Sequence, residues 1–406
     1  MEELRPRYLV MVTPANNNKY YKQIPHGDTW TAEYGRVGAS PQKAEYPMSK
    51  WDSKYREKIR KGYVDQTELA KDLIEIKKET SKSTYKEIEN KVIAEIVERL
   101  QEMARQAIRE NYSISSNKVT QAMVSAAQKI LDELVSIKTI SKFNEKLIEL
   151  FTTIPRAMSD VSSFLATAKK DFPSIIKREQ DLLNVMKGQV IQKKVEEDVK
   201  STVDSNMANP ITILEAMGLE MEECTKDDIK LIKENLGESK DKFFRAWKVN
   251  NLRTKQRFDQ YVKSEQINNT KLLWHGSRNE NWWSILNSGL VLNPANVVIN
   301  GKMFGYGCYF APKVQKSIGY TSLDGSAFSL GHSSSGFMAL MEVAYGTPYD
   351  VYTFDPKYYN YDYEHLQKAC PGANCLHAHA GTMLRNDEII FYKEDQISIK
   401  YLVEIK

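Results

Sequence analysis

The sequence predicts an α+β multidomain protein: a small β-rich domain over residues 1–70, an all-α helical bundle over 71–200, and a mixed β-sheet domain over 201–406. Three observations carry this. The chain has 406 residues, more than one compact domain of about 100–200 residues accommodates. Its apolar spacing changes from strand-like to helical near Gln66 and back to strand-like beyond Asn209. With 41% hydrophobic and 27% charged residues, the composition is that of a folded globular chain.

The elements follow in order. Tyr8–Val12 is an apolar run of strand length, and Pro14–Asn18 is turn chemistry. Lys19–Lys22 and Trp30–Gly38 read as further strands, the second closed by Gly35 and Gly38. Pro47–Ile59 turns helical and basic, with Gly62 as its stop. Val92/Ile93, Ile96/Val97, Leu100, Met103/Ala104 and Ala107/Ile108 then recur at helical spacing. A second helix carries Val119, Met123, Ala126/Ala127, Ile130 and Leu134, with Ser115-Ser116-Asn117 as its expected N-cap. Phe143–Ile154 makes a third, ended by Pro155, and Ile175–Met186 a fourth. Lys193–Asn209 reads as a polar connection. Phe243–Val249, Lys271–Trp274, Phe337–Tyr345, Asp350–Phe354, Glu388–Tyr392 and Ile397–Ile405 are the expected strands of the last domain, with a few short helices between them.

Charge and motif absences narrow the function. The net charge is +4, and residues 1–65 hold all of the excess, with 12 Lys/Arg against 8 Asp/Glu. A basic end domain suits a polyanion, although so small a charge also serves solubility. Cys224, Cys308, Cys370 and Cys375 are too few and scattered for a disulfide framework, which implies a reducing compartment. No run approaches the roughly 18 apolar residues of a membrane span, and Met1-Glu2-Glu3 lacks a secretory profile. The expectation is therefore no membrane partner and no secretion, with a nuclear location in a eukaryote and a cytoplasmic one otherwise. GxxxxGK[ST], HExxH and GxSxG are all absent. Cys370-x4-Cys375-x-His377-x-His379 has spacings unusual for a four-ligand zinc site, so no metal is expected.

Chemistry concentrates in four stretches: Leu272–Arg278, Met303–Ala311, Lys316–Tyr320 and Asn386–Ile390. Each alone has an ordinary packing explanation. Together they resemble the catalytic domain of the poly(ADP-ribose) polymerases, the histidine–tyrosine–glutamate branch of the ADP-ribosyltransferases. Leu273-Trp274-His275-Gly276-Ser277-Arg278 matches the opening motif. Met303-Phe304-Gly305 with Gly307–Ala311 matches the second, Lys316-Ser317 with Tyr320 the third, and Asn386–Tyr392 the fourth. The resemblance spans Asn209–Lys406. Upstream, Phe143–Pro155 and Asp181–Asn184 are similar to the family's helical regulatory domain, the latter to the helix over its cofactor cleft. Asn18–Tyr21, Tyr34–Gly38 and Gly62-Tyr63 resemble a WGR domain, with Tyr34 standing where the name-giving tryptophan belongs. This domain order is that of the DNA-dependent members.

The resemblance implies cleavage of the nicotinamide–ribose bond of NAD+, used as substrate, and transfer of ADP-ribose to acceptor proteins, the chain itself included. Such a transition state carries positive charge on the ribose. His275, Tyr309 and Glu388 are the implied catalytic set. His275, Gly276, Ser277, Tyr309, Ser317 and Tyr320 are implied to hold NAD+, and Met303 and Glu388 to face the acceptor. Glu388 favours chain elongation over single transfer, with mono-ADP-ribosylation and a catalytically silent NAD- or DNA-binding module as alternatives. A secreted toxin is disfavoured by the helical domain. Val291 and Tyr306 stand where well-known relatives carry arginine and lysine. Tyr34, Arg36, Lys50, Lys54 and Lys58 are the expected contacts to DNA ends or nicks bearing a 5′-phosphate, as in a DNA damage response.

Overall fold

The computed structural model describes residues 5–70, 85–112, 119–202, 211–292, 303–327, 329, 331–381 and 384–406, the side chains of 194–202 excepted. It divides into two compact units. One comprises the described parts of residues 1–82 and 105–190, the other those of 83–104 and 191–406.

In the first unit, strands β1 (Arg7–Thr13), β2 (Asn17–His26), β3 (Thr29–Arg36), β4 (Gln42–Pro47) and β5 (Val64–Asp65) form an antiparallel sheet in the order β4-β3-β2-β1-β5. Strand alternation turns Leu9, Tyr21, Trp30 and Ala32 into one core, which Trp51 of the helix Trp51–Arg60 completes. The Trp30 ring stacks on Tyr46 at 4.9 Å and meets Trp51 edge-on at 5.5 Å. Helices Gln121–Leu134 and Ile140–Thr153, with the Asn111 end of helix Lys91–Asn111 and the first part of helix Phe172–Thr202, supply the rest. Phe143 stacks on Phe172 at 3.8 Å. The fully buried Arg156 pairs with Glu179, donates to Asn111 Oδ1 at 3.0 Å, and accepts through its carbonyl from Asn18 Nδ2 at 3.0 Å.

Two local expectations change. The cap of the Gln121–Leu134 helix is Thr120, whose Oγ1 accepts from the Met123 amide at 3.1 Å; Ser115–Asn117 lie outside the described residues. The helix predicted over Ile175–Met186 runs from Phe172 to Thr202, through much of the expected polar connection. Its apolar period fades, but Gln, Lys and Glu keep high helix propensity and no proline intervenes before Pro210.

The second unit holds β6 (Leu219–Glu223), β7 (Phe243–Asn251), β8 (Thr270–Gly276), β9 (Cys308–Phe310), β10 (Gly336–Ala344), β11 (Pro348–Val351), β12 (Cys375–Ala378), β13 (Glu388–Phe391) and β14 (Ile397–Ile405). They make a five-stranded sheet, β6-β7-β14-β10-β8, and a four-stranded one, β11-β12-β13-β9. β10 and β14 are buried almost throughout, as strands covered on both faces must be. Trp274 and Ala311 exchange two backbone hydrogen bonds of 3.1 Å, which ties β8 to the chain leaving β9. Glu404, buried in β14, receives both arms of Arg99 at 2.8 and 3.1 Å. Helices Lys226–Leu236 and Leu252–Ser264 start on Thr225 and Asn251, side chains that cap their first amides. Among the described residues, no helix is long and apolar enough to cross a membrane.

Candidate active site

The end of β8 brings His275 and Gly276 against the short helix Val314–Ile318. An ideal Cβ on Gly276 would lie 1.9 Å from the Ser317 carbonyl oxygen, so only glycine permits this approach. Ser317 is buried and donates its hydroxyl to the Trp274 carbonyl at 3.1 Å, leaving the oxygen lone pairs as acceptors. His275 Nδ1 lies 3.0 Å from the Tyr309 carbonyl oxygen. A neutral ring donating there carries its lone pair on Nε2, the form that accepts from a hydroxyl.

Tyr309 in β9 pairs with Ile390 of β13. Its hydroxyl donates to the Gly305 carbonyl at 3.0 Å and accepts from the Phe304 amide at 2.9 Å. That pair of hydrogen bonds pins the turn in which Gly305 has φ +74° and no room for a Cβ beside Tyr361. Met303 packs on the same apolar cluster as Phe304 and Tyr309. Ser277 is used differently: its hydroxyl oxygen accepts from Asn281 Nδ2 at 3.0 Å, and its carbonyl from Trp282 Nε1 at 3.3 Å.

Glu388 opens β13 and is 3% exposed. Lys316 Nζ forms an ion pair with its Oε1, while Oε2 is buried with no hydrogen-bond partner among the described residues. Burial holds this carboxyl above the usual carboxylate range, and the Lys316 charge and hydrogen bond pull it back down. The carboxylate acts on both tyrosines. Burial first and then Glu388 push the Tyr320 hydroxyl up to about 12 and the Tyr309 hydroxyl well above the usual phenol range. His275, Gly276, Tyr309, Ser317, Tyr320 and Glu388 therefore converge, through backbone contacts on one side and the Glu388 charge on the other. Lys316 stands in the third motif, but sequence reading assigned it no role; the ion pair with Glu388 supplies one.

A buried carboxylate oxygen with no hydrogen-bond partner among the described residues, whose charge reaches Tyr309 and Tyr320, suits a site that stabilises a cation. The poly(ADP-ribose) polymerase catalytic domain matches residues 222–406 of this chain. A putative poly(ADP-ribose) polymerase-like protein, 100L of Invertebrate iridescent virus 6, is 34% identical over 172 residues, which is 41% of this chain and 87% of that protein. The chain belongs to the poly(ADP-ribose) polymerase family. It is an NAD+ ADP-ribosyltransferase. An uncharacterized protein of the same virus, 101L, is 34% identical over 196 residues, covering 47% of this chain and 80% of that protein. The human poly(ADP-ribose) polymerase 2 is 40% identical over 93 residues, 23% of this chain and 15% of its own length.

The residues expected to meet DNA lie in the first unit. Arg36 is also engaged within that unit: its guanidinium donates to Asn16 O and Oδ1 and to the Met158 and Ser159 carbonyls, at 2.7–3.1 Å. The two carbonyls come from a segment more than a hundred residues away in sequence. Lys50 is exposed. Lys54 bonds Glu57 at 3.0 Å, and Lys58 sits 4.3 Å above the Tyr21 ring with Tyr34 and Tyr63 around it.

Proposed function

We propose that this enzyme transfers ADP-ribose from NAD+ to acceptor proteins, itself included, and onto growing poly(ADP-ribose), and that DNA ends or nicks stimulate it through the WGR-like N-terminal domain. In this reading the bond between nicotinamide and ribose breaks, and nicotinamide leaves with the electron pair. An acceptor hydroxyl forms the new bond to the same ribose carbon and passes its proton to Glu388. The Gly276 backbone and the Ser317 hydroxyl hold the carboxamide, Tyr320 and Tyr309 wall the ring, and His275 holds a ribose hydroxyl. Ser277 supports the nucleotide from its bond to Asn281, and Met303 and Glu388 face the acceptor. The observation that carries the reading is the buried Glu388 oxygen with no hydrogen-bond partner among the described residues, a negative charge set in place before the ribose becomes cationic.

The DNA arm rests on the exposed Lys50, the Lys54–Lys58 face and the Tyr34 ring beside it. A bound DNA end changes turnover only by favouring an active state over an inactive one. Purified protein is incubated with labelled NAD+, with and without nicked DNA bearing a 5′-phosphate. The expected result is labelled protein carrying a ladder of chain lengths, stronger with DNA and weaker as salt rises. Equal labelling with and without DNA overturns the stimulation; a single added unit overturns elongation; no label overturns the assignment of the site.

A further inference from the structure

We propose that Asp350, His377 and His379 form a binding site for one zinc ion or a similar first-row divalent cation, with Asp387 as the positioning carboxylate behind His377. None of these residues is among those assigned to NAD+ or the acceptor above, although Asp387 directly precedes Glu388, and the proposal does not rest on that reading. β12 carries His377 in register with Asp350 on β11 and with Ile389 on β13. His379 follows two residues later, and the two imidazoles stack with centroids 4.0 Å apart and planes at 20°. The Tyr352 ring stacks on His379 at 4.4 Å.

Asp350 Oδ1 lies 2.7 Å from His379 Nε2 and 3.8 Å from His377 Nδ1. One donor atom from each of the three residues lies within 4.8 Å of the other two. Tetrahedral zinc with bonds of about 2.0–2.1 Å separates its ligand atoms by roughly 3.3 Å, so small side-chain rotations close the set. On the far side, Asp387 Oδ2 lies 3.0 Å from His377 Nε2, and its Oδ1 accepts from the Ala380 amide at 2.8 Å. A carboxylate on the remote nitrogen of an imidazole is the arrangement that fixes tautomer and ring angle in metal centres. With Nε2–H donating to Asp387, His377 keeps its lone pair on Nδ1, where the Tyr345 hydroxyl donates at 2.8 Å. A bound cation takes that lone pair over from Tyr345.

Asp350 and Asp387 bracket the two imidazoles, and two histidines with a carboxylate are donors for zinc rather than for calcium or magnesium. Asp350 is 43% exposed at its side chain against 12% for His377, so ions enter from the Asp350 side and water completes the shell. The proposed site keeps His377 and His379 of the Cys370–His379 spacing and takes Asp350 in place of the cysteines. Cys375 is buried, donates to the Tyr345 carbonyl, and has its thiol pushed up to about 12 by burial. Cys370 packs on the apolar cluster of Phe304 and Leu366.

The test is calorimetric titration of the chelator-treated full chain with zinc chloride, alongside cobalt(II) absorption. The expected result is one saturable site with tetrahedral cobalt bands, and no competition from equimolar magnesium or calcium. Asp350→Asn and His379→Ala each weaken zinc binding at least tenfold, Asp387→Asn weakens it about 10–100-fold, and Tyr345→Phe binds as tightly as the parent or more so. Zinc raises the melting temperature of the parent but not of His379→Ala. Absence of a stoichiometric site, or zinc affinity unchanged in both Asp350→Asn and His379→Ala, overturns the proposal. Should His379→Ala melt early without metal, the exposed Asp350→Asn decides.

Discussion

Changing Glu388 to glutamine removes one negative charge and almost no volume. Oε1 bonds Lys316 and Oε2 has no partner among the described residues, and the amide oxygen of glutamine can still accept from Lys316 Nζ. The side chain therefore keeps its anchor, and the loss falls on the charge presented to the ribose. One preorganised electrostatic group is worth about 10²–10³ in kcat, roughly 2.7–4 kcal/mol. Glu388→Gln is expected to lose that factor in single-turnover transfer from labelled NAD+, with KM for NAD+ changed less than about tenfold. Product gels should show the added chains shortened more than the first transfer is slowed. The melting temperature reports whether the fold survives. A folded variant with kcat within about tenfold of the parent refutes the assigned charge, and unchanged chain length refutes its part in elongation.

Burial holds the Glu388 carboxyl high while Lys316 lowers it, so Lys316→Met raises it further; the acid limb of the kcat/KM–pH profile moves to higher pH, and an unmoved limb counts against the pair. The same raised value makes ionisation of Glu388 oppose folding: its contribution is greatest below the unfolded carboxyl pKa and is lost as pH rises through the folded one. Thermal melts of Lys316→Met across pH should therefore fall more steeply toward neutral pH than those of the parent. Gly276→Ala forces a methyl into the Ser317 carbonyl and should cost about 3 kcal/mol or more, read by chemical denaturation. Arg36→Ala should cost about 1–3 kcal/mol of stability through its lost carbonyl contacts, measured as a lower melting temperature. Replacing Lys50 and Lys54 by Glu should weaken binding to nicked DNA and lower the salt slope of that binding by up to about two, read by fluorescence anisotropy across salt concentrations.

Much of the catalytic unit was legible because its chemistry sits in short stretches with rigid local demands. Tyr309, Gly305 and Gly276 each answer a backbone constraint that a sequence displays directly: a hydroxyl that pins a tight turn, a positive φ, a close approach that excludes a Cβ. The strand Ile397–Ile405 matches its prediction residue for residue, because burial on both faces leaves a continuous apolar run. The Thr120 cap and the continuation to Thr202 were not read, because several polar residues can cap and a polar helix shows no period.

Sequence alone determined the periodicities, the excess positive charge of the first sixth and the four motif stretches, since these depend on neighbours a few residues apart. Tertiary structure decided which side chains meet across long separations. Lys316 reaches Glu388, Arg36 reaches the Met158 and Ser159 carbonyls, and Asp350 rather than a cysteine reaches His377 and His379. Sheet register and loop return set those pairings, and neither follows from local spacing, because pairing distant strands depends on how the whole core is filled.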